Sequence, residues 1–119
     1  MRLELAKYLY DIQQAVSRLS GFVEGRDWVH YERDAMLRAA VERQFEIIGE
    51  ALAQLAKRDA AVAARIREHQ RIIAFRNILI HGYAEIDDRL VWDIVQTRLP
   101  TLRQDLDALI GHAPPEFQA

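Results

Sequence analysis

One stretch of this sequence, Phe75-Arg76-Asn77-Ile78-Leu79-Ile80-His81-Gly82-Tyr83, gathers side chains that could act on a phosphate. Arg76 carries a planar, permanently charged fork that suits two-pronged anion contacts. His81 is of the residue type best suited to giving and taking protons under ordinary conditions. At about 100° per residue of helix, Asn77 and His81 lie one turn apart on one face. Arg76 is offset from His81 by about 140°, but its long side chain can reach round. The spacing alone says little. With fourteen Arg and four His in 119 residues, an Arg-x4-His arises by chance about 0.5 times. Two plainer readings stand beside the chemical one: His81 caps the last carbonyls of its helix, and Arg76 pairs with an acid on a neighbouring helix.

Other candidates are weaker. His30 lies near a helix start, His112 lies in the tail, and His69 is about three turns from His81. Asp87-Asp88 reads as a helix cap rather than a metal pair. Trp28, Tyr31 and Trp92 could stack on bases, but single aromatics at helix edges more often belong to the core. With no cysteine, thiolate nucleophiles, disulfides and most structural zinc sites are excluded. No cofactor is expected.

The elements that must position these residues are helical. At 119 residues the chain is one domain, half hydrophobic and 29% charged, with only five Gly and three Pro for turns. No apolar run is long enough for a bilayer, and an acid at Glu4 argues against a signal peptide, so a cytoplasmic protein is expected. Four apolar stripes recur at helical spacing. The first runs Leu5, Leu9, Ile12, Val16, Leu19, Val23, before a loop at Gly25-Arg26-Asp27. The second runs Leu37, Val41, Phe45, Ile48, Leu52, Leu55 on a helix from about Asp34 to Lys57. Ala40, Ile47 and Ala51 widen its apolar face, predicting contact with more than one neighbour.

The third region follows a break at Arg58-Asp59, is interrupted near Glu68, and stops at Gly82 in a left-handed conformation. Its helical wheel puts Ile72, Ala74, Phe75, Ile78 and Leu79 on one arc. Arg76, Asn77 and His81 share the other with Ile66, Ile73 and Ile80, as a subunit interface with a polar cleft would. The fourth stripe, Val91, Val95, Leu99, Leu102, Leu106, Leu109, starts at an Asp87 or Asp88 cap and meets a kink or break at Pro100. The expectation is an all-α, up-down-up-down four-helix bundle over residues 1–110, with a frayed tail from Gly111 to Ala119.

The motif resembles the Arg-x4-His signature of the HEPN superfamily, and Tyr83 makes it the longer Arg-x4-His-x-Tyr form of the HepT toxin branch. Two further segments are similar to that branch: Arg43 to Leu52, with its Gly49-Glu50-Ala51 step, and the acidic run Glu85-Ile86-Asp87-Asp88 before Leu90-Val91-Trp92. The resemblance covers roughly residues 2 to 110. It implies the toxin of a type VII-like HEPN/MNT toxin–antitoxin pair, a homodimeric, metal-independent endoribonuclease. Its partner would be an MNT-type nucleotidyltransferase antitoxin, which in that family attaches AMP to the motif tyrosine, here Tyr83. The alternative is a non-catalytic bundle that only binds such a nucleotidyltransferase.

The residues permit a mechanism for the implied activity. RNA is cut without metal when its own 2′-OH attacks the adjacent phosphate, leaving a 2′,3′-cyclic phosphate and a 5′-OH. That takes a base, an acid and positive charge on the phosphorane. One chain supplies one motif histidine, so two copies across a two-fold axis would pool two His81 and two Arg76, with Asn77 orienting His81 or the phosphate. Net charge is −2, so no global field draws RNA. From Arg65 to Arg76, however, four Arg face one Glu, a local +3, whereas Glu85 to Asp93 carries −3 and could meet the antitoxin.

Overall fold

The computed structural model describes residues 3–82 and 85–111. Six helices follow in order: α1 (Leu3–Val23), α2 (Trp28–Arg33), α3 (Ala35–Arg58), α4 (Ala60–Ala64), α5 (His69–His81) and α6 (Asp88–Ile110). The four long ones are those that the apolar stripes predict, and no strand occurs among the described residues. The fold is an all-α bundle. α3 packs along both α1 and α5, α6 packs on α1, and α2 bridges the starts of α3 and α6. The extra apolar width of α3 thus serves two neighbours, as its sequence predicts.

Aspartates set the boundaries. Asp34 closes α2 by donating its N–H to the His30 carbonyl at 3.1 Å and opens α3 by accepting from the Leu37 N–H at 3.1 Å. Asp59 does the same between α3 and α4, through the Leu55 carbonyl (2.8 Å) and the Val62 N–H (3.1 Å). At α6 the cap is Asp87, which accepts from the Arg89 and Leu90 N–H groups. Each such cap contributes about 1 kcal/mol. Inside, the second and fourth stripes are buried at every position, and the first is buried from Leu5 to Leu19 with Val23 half-buried.

Three local features differ from or sharpen the sequence pattern. α2, which none of the four stripes marks, is a helix started by a capping box, in which Asp27 accepts from the His30 N–H (3.0 Å) and His30 Nδ1 accepts from the Asp27 N–H (3.2 Å). Pro100 does not break α6, which runs through it. The carbonyl it cannot serve belongs to exposed Gln96, where water can substitute. Gly82 is not left-handed: its φ is −101°, and a Cβ there would lie 2.8 Å from the Ile78 carbonyl oxygen. That glycine answers a close approach rather than a positive φ.

The left-handed residue of this region is Glu68, with φ 58°, at the interruption the sequence predicts. Such a conformation costs a non-glycine residue about 1–2 kcal/mol. Ion pairs with Arg71 (3.0 Å) and with Arg98 of α6 hold it there. Next to it, Arg67 grips Asp105 through its side chain (2.9 Å) and its N–H (2.9 Å). Burial pushes the Asp105 carboxyl up, but these bonds outweigh it and hold the group below its usual 3.8.

Candidate active site

α5 is seated on α3 by Ile72, Phe75 and Leu79, with the Phe75 ring edge-on to Phe45 at 5.4 Å between centroids. The closest approach is at Gly49. A Cβ built there would lie 2.7 Å from Arg76 Cγ and closer still to Arg76 Cβ, so only glycine lets the Arg76 stem lie flat on α3. From this seat the guanidinium reaches the neighbouring residue: Arg76 Nη1 is 3.2 Å from Glu50 Oε2. The Arg76 side chain is 18% exposed and Glu50 56%. Arg76 Nε is buried with no hydrogen-bond partner among the described residues.

His81 is the last residue of α5, and both it and Asn77 are exposed. Neither makes a side-chain hydrogen bond or ion pair among the described residues, and none joins them to Arg76 within the chain. The orientation of α5 differs from the wheel. Ala74 and Ile78, assigned to the inner arc with Ile72, Phe75 and Leu79, face outward beside Asn77 and His81, while Arg76 turns toward α3. Ile78 is 52% exposed and Ile80 42%. The outer face of α5 is therefore a mixed surface of alanine, isoleucine, asparagine and histidine.

Ile80 and Glu50 share a groove of about 340 Å³ along α3, together with Tyr8, Asp11, Arg43 and Glu46 among others. Its charged lining is three acids and one arginine, and that Arg43 already pairs with Glu46 at 3.7 Å. Phosphate would not be drawn into it. The basic run is also more neutralised than its sequence suggests. Arg67 is held by Asp105, Arg71 by Glu68 and Arg76 by Glu50.

The remaining candidates resolve as follows. His30 serves the α2 capping box, and His69 is half-buried at the start of α5. Tyr31 and Trp92 are core residues in ring contact at 5.2 Å, with Trp28 against Tyr31 at 6.2 Å. Tyr83 and His112 lie outside the described residues. Among the described residues no three of His, Asp and Glu gather closely enough to share a metal ion. Glu50 is the residue that the sequence reading passed over. The available signal was its place beside Gly49 in the Gly-Glu-Ala step, one position from where a neighbouring helix must come close.

The sequence of the chain was compared with known families and proteins. Residues 12–109 match the family described as ribonuclease HepT-like. The chain belongs to that family. Similar proteins include an RNase, provisionally so named, of Methanocaldococcus jannaschii, 31% identical over 104 residues that cover 87% of this chain and 94% of that protein. A probable ribonuclease HepT of Thermococcus cleftensis is 31% identical over 104 residues, covering 86% and 92%. A third relative, also provisionally named an RNase, from Caldanaerobacter subterraneus, is 28% identical over 103 residues, covering 87% and 91%. No solved structure matches. For this HepT-like chain the Arg76–His81 segment thus sits inside the matched region, as does the Gly49–Glu50 seat beneath it.

Proposed function

We propose that this HepT-like chain is an endoribonuclease whose active site forms between two copies of the chain. The observation that carries the reading is the outer face of α5, where His81 and Asn77 stand exposed, without a side-chain partner among the described residues, beside exposed Ile78. Docking a second copy through this face would cover Ile78 and bring two His81 and two Asn77 together, with Arg76 of each copy reaching in from the α3 side of its helix.

Chemistry then proceeds on the RNA's own hydroxyl. One His81 takes the 2′-OH proton as the 2′ oxygen attacks phosphorus. The bond from phosphorus to the 5′ oxygen breaks, and the other His81 protonates that oxygen. The products are a 2′,3′-cyclic phosphate and a 5′-OH, and no metal enters the balance. Arg76 neutralises the charge that builds on the phosphorane, and Asn77 orients imidazole or phosphate. The names of the relatives support RNA as substrate.

As a HepT-like toxin, the chain would be neutralised by an MNT-type nucleotidyltransferase that adds AMP to Tyr83. A phosphodiester two residues from His81 would obstruct the cleft and offset its positive charge. The rival, a non-catalytic partner of such an enzyme, draws on the Arg76–Glu50 pair, which gives Arg76 a structural use.

The test is cleavage of RNA by the purified chain in EDTA, followed by analysis of the new ends. Cyclic phosphates are expected, with a loss of roughly 10²–10⁴ in rate for His81→Ala. Activity that appears only with added metal would overturn the mechanism. Equal rates for wild type and His81→Ala would favour the rival.

A further inference from the structure

The groove along α3 is unsuited to phosphate, yet it adjoins the residues that would act on one. Ile80, which lines it, precedes His81, and Glu50, which also lines it, pairs with Arg76. The rest of the lining mixes apolar surface with carboxylates. Tyr8, Ile47 and Ala51 supply the first, and Arg58 lies over the Tyr8 ring at 5.1 Å. Of the three acids, two are engaged. Glu46 pairs with Arg43, while Glu50 takes the Gln54 amide on Oε1 at 3.2 Å and Arg76 on Oε2. Asp11 is half-buried and has no side-chain hydrogen bond or ion pair among the described residues. A carboxylate so placed is completed by donors that a ligand brings.

Three properties of the groove select that ligand. Its volume of about 340 Å³ suits one flat ring with its sugar better than a helix of another protein. Its aromatic and aliphatic walls suit the faces of a nucleobase. Its unengaged carboxylate asks for donors on the edge of that base. Among the RNA bases guanine presents two adjacent donors, N1–H and N2–H, which the two oxygens of one carboxylate can accept together. Adenine and cytosine offer an amino group beside a ring nitrogen whose lone pair repels a carboxylate. Uracil offers a single N–H between two carbonyl oxygens.

We propose that the groove is a base site, which takes the guanine of the nucleotide on the 5′ side of the cut, with Asp11 accepting from its N1–H and N2–H groups. This rests on the ribonuclease reading above and adds the substrate preference of that site. The base is uncharged, so it enters where phosphate does not. The 3′-phosphate of the same nucleotide, which its own 2′-OH attacks, stays outside the groove on the side of Arg76 and His81. Asp11 moves no proton; it sets which nucleotide is seated.

The experiment uses RNA oligonucleotides that differ at one nucleotide: guanosine, inosine, adenosine or uridine. The wild type should cut after guanosine with a kcat/KM about ten- to a hundredfold above that after adenosine or uridine. Inosine lacks the N2 amino group and should fall between. In Asp11→Asn, whose amide cannot accept both bonds, the preference should shrink to within about threefold of none, with helical circular dichroism unchanged. A preference that survives Asp11→Asn, or a wild type that cuts after every base alike, would overturn the proposal. The comparison of guanosine with inosine needs no variant, so it decides even if Asp11→Asn fails to fold. Should the wild type cleave no RNA, the ribonuclease reading fails by itself, and the methyl NMR signals of Ile47 and Ile80 still decide the groove. Shifts with guanosine but not with uridine uphold the base site. No shift, or a shift only with an arginine-rich peptide, removes it.

Discussion

The cap formed by α2 and the outer face of α5 are built from similar materials: a large apolar group or two, with a histidine at the edge. In the α2 cap nearly everything is served within the chain. Tyr31 is fully buried between Trp28 and Trp92, and Arg89 lies over the Trp28 ring at 4.9 Å. His30 is spent in the capping box, and Arg38 donates to the carbonyls of Tyr31 and Glu32. On α5 nothing comparable happens. Ile78 and Ile80 are about half exposed, and Asn77 and His81 have no side-chain partner among the described residues. One region is completed by folding; on the reading proposed above, the other is completed by a second copy. Burying the exposed isoleucines would contribute about 25 cal/mol for each Å² of apolar surface removed from water.

The largest expected effect breaks that contrast directly. Ile78→Asp places a charge on the outer face of α5 without touching the core. If the face joins two copies, the variant should be monomeric by light scattering, keep its helical circular dichroism, and lose cleavage by about a hundredfold or more, because neither copy alone offers two histidines. The equivalent charge at the α2 cap, Val29→Asp, alters a residue that is also about half exposed. It should leave assembly and rate unchanged. A dimeric, active Ile78→Asp would move the subunit contact elsewhere.

A smaller effect separates the two faces of α5 from each other. Gly49→Ala should destabilise the protein by about 1–3 kcal/mol, as overpacking does, because the new methyl meets the Arg76 stem. Gly21→Ala is the contrasting variant. It lies in α1, with nothing within 4 Å of an added Cβ. There alanine should stabilise by about 0.5–1 kcal/mol through its better helix propensity. Thermal melts of the two variants should therefore move in opposite directions. A neutral Gly49→Ala would show that α5 can lift from α3 at no cost, and the fixed stem of Arg76 would be lost with it.

What could be read from the sequence follows the same division. The long helices were legible because each hides a stripe of period near 3.6, and Leu37, Val41, Phe45, Ile48, Leu52 and Leu55 are all buried as that pattern requires. α2 has six residues and shows no stripe; what anchors it is Tyr31 against Trp92, a contact distant in sequence. The orientation of α5 was illegible for the opposite reason. Its apolar residues run nearly all round the helix, so the wheel cannot tell Ile72, which is buried, from Ile78, which is not. Arg76, Asn77 and His81 were legible as chemistry. Glu50 was not, because its meaning depends on which residue of α5 lies over Gly49, and helical periodicity within one segment carries no register between two.

The smallest expected effect probes a strain in the α2 region. Glu42, half-buried on α3, is raised above its usual 4.5 by burial first, then by Asp88 and Glu46, with Arg38 opposing. The folded chain therefore holds a proton on Glu42 more tightly than the unfolded chain does. In the window from about 4.5 up to the raised value, the native state binds more protons, so stability falls as pH rises. Above that window the whole penalty is present; below it, none. Glu42→Gln keeps the shape and removes the charge. It should raise Tm by a few degrees at most at pH 7 and leave it nearly unchanged at pH 4. The downward slope of Tm with rising pH across the window should flatten accordingly. A Glu42→Gln variant less stable at pH 7 than the wild type would mean that Arg38 outweighs burial at this carboxylate. Glu42 would then cost the α2 region nothing, and the contrast of that region with the open face of α5 would be sharper.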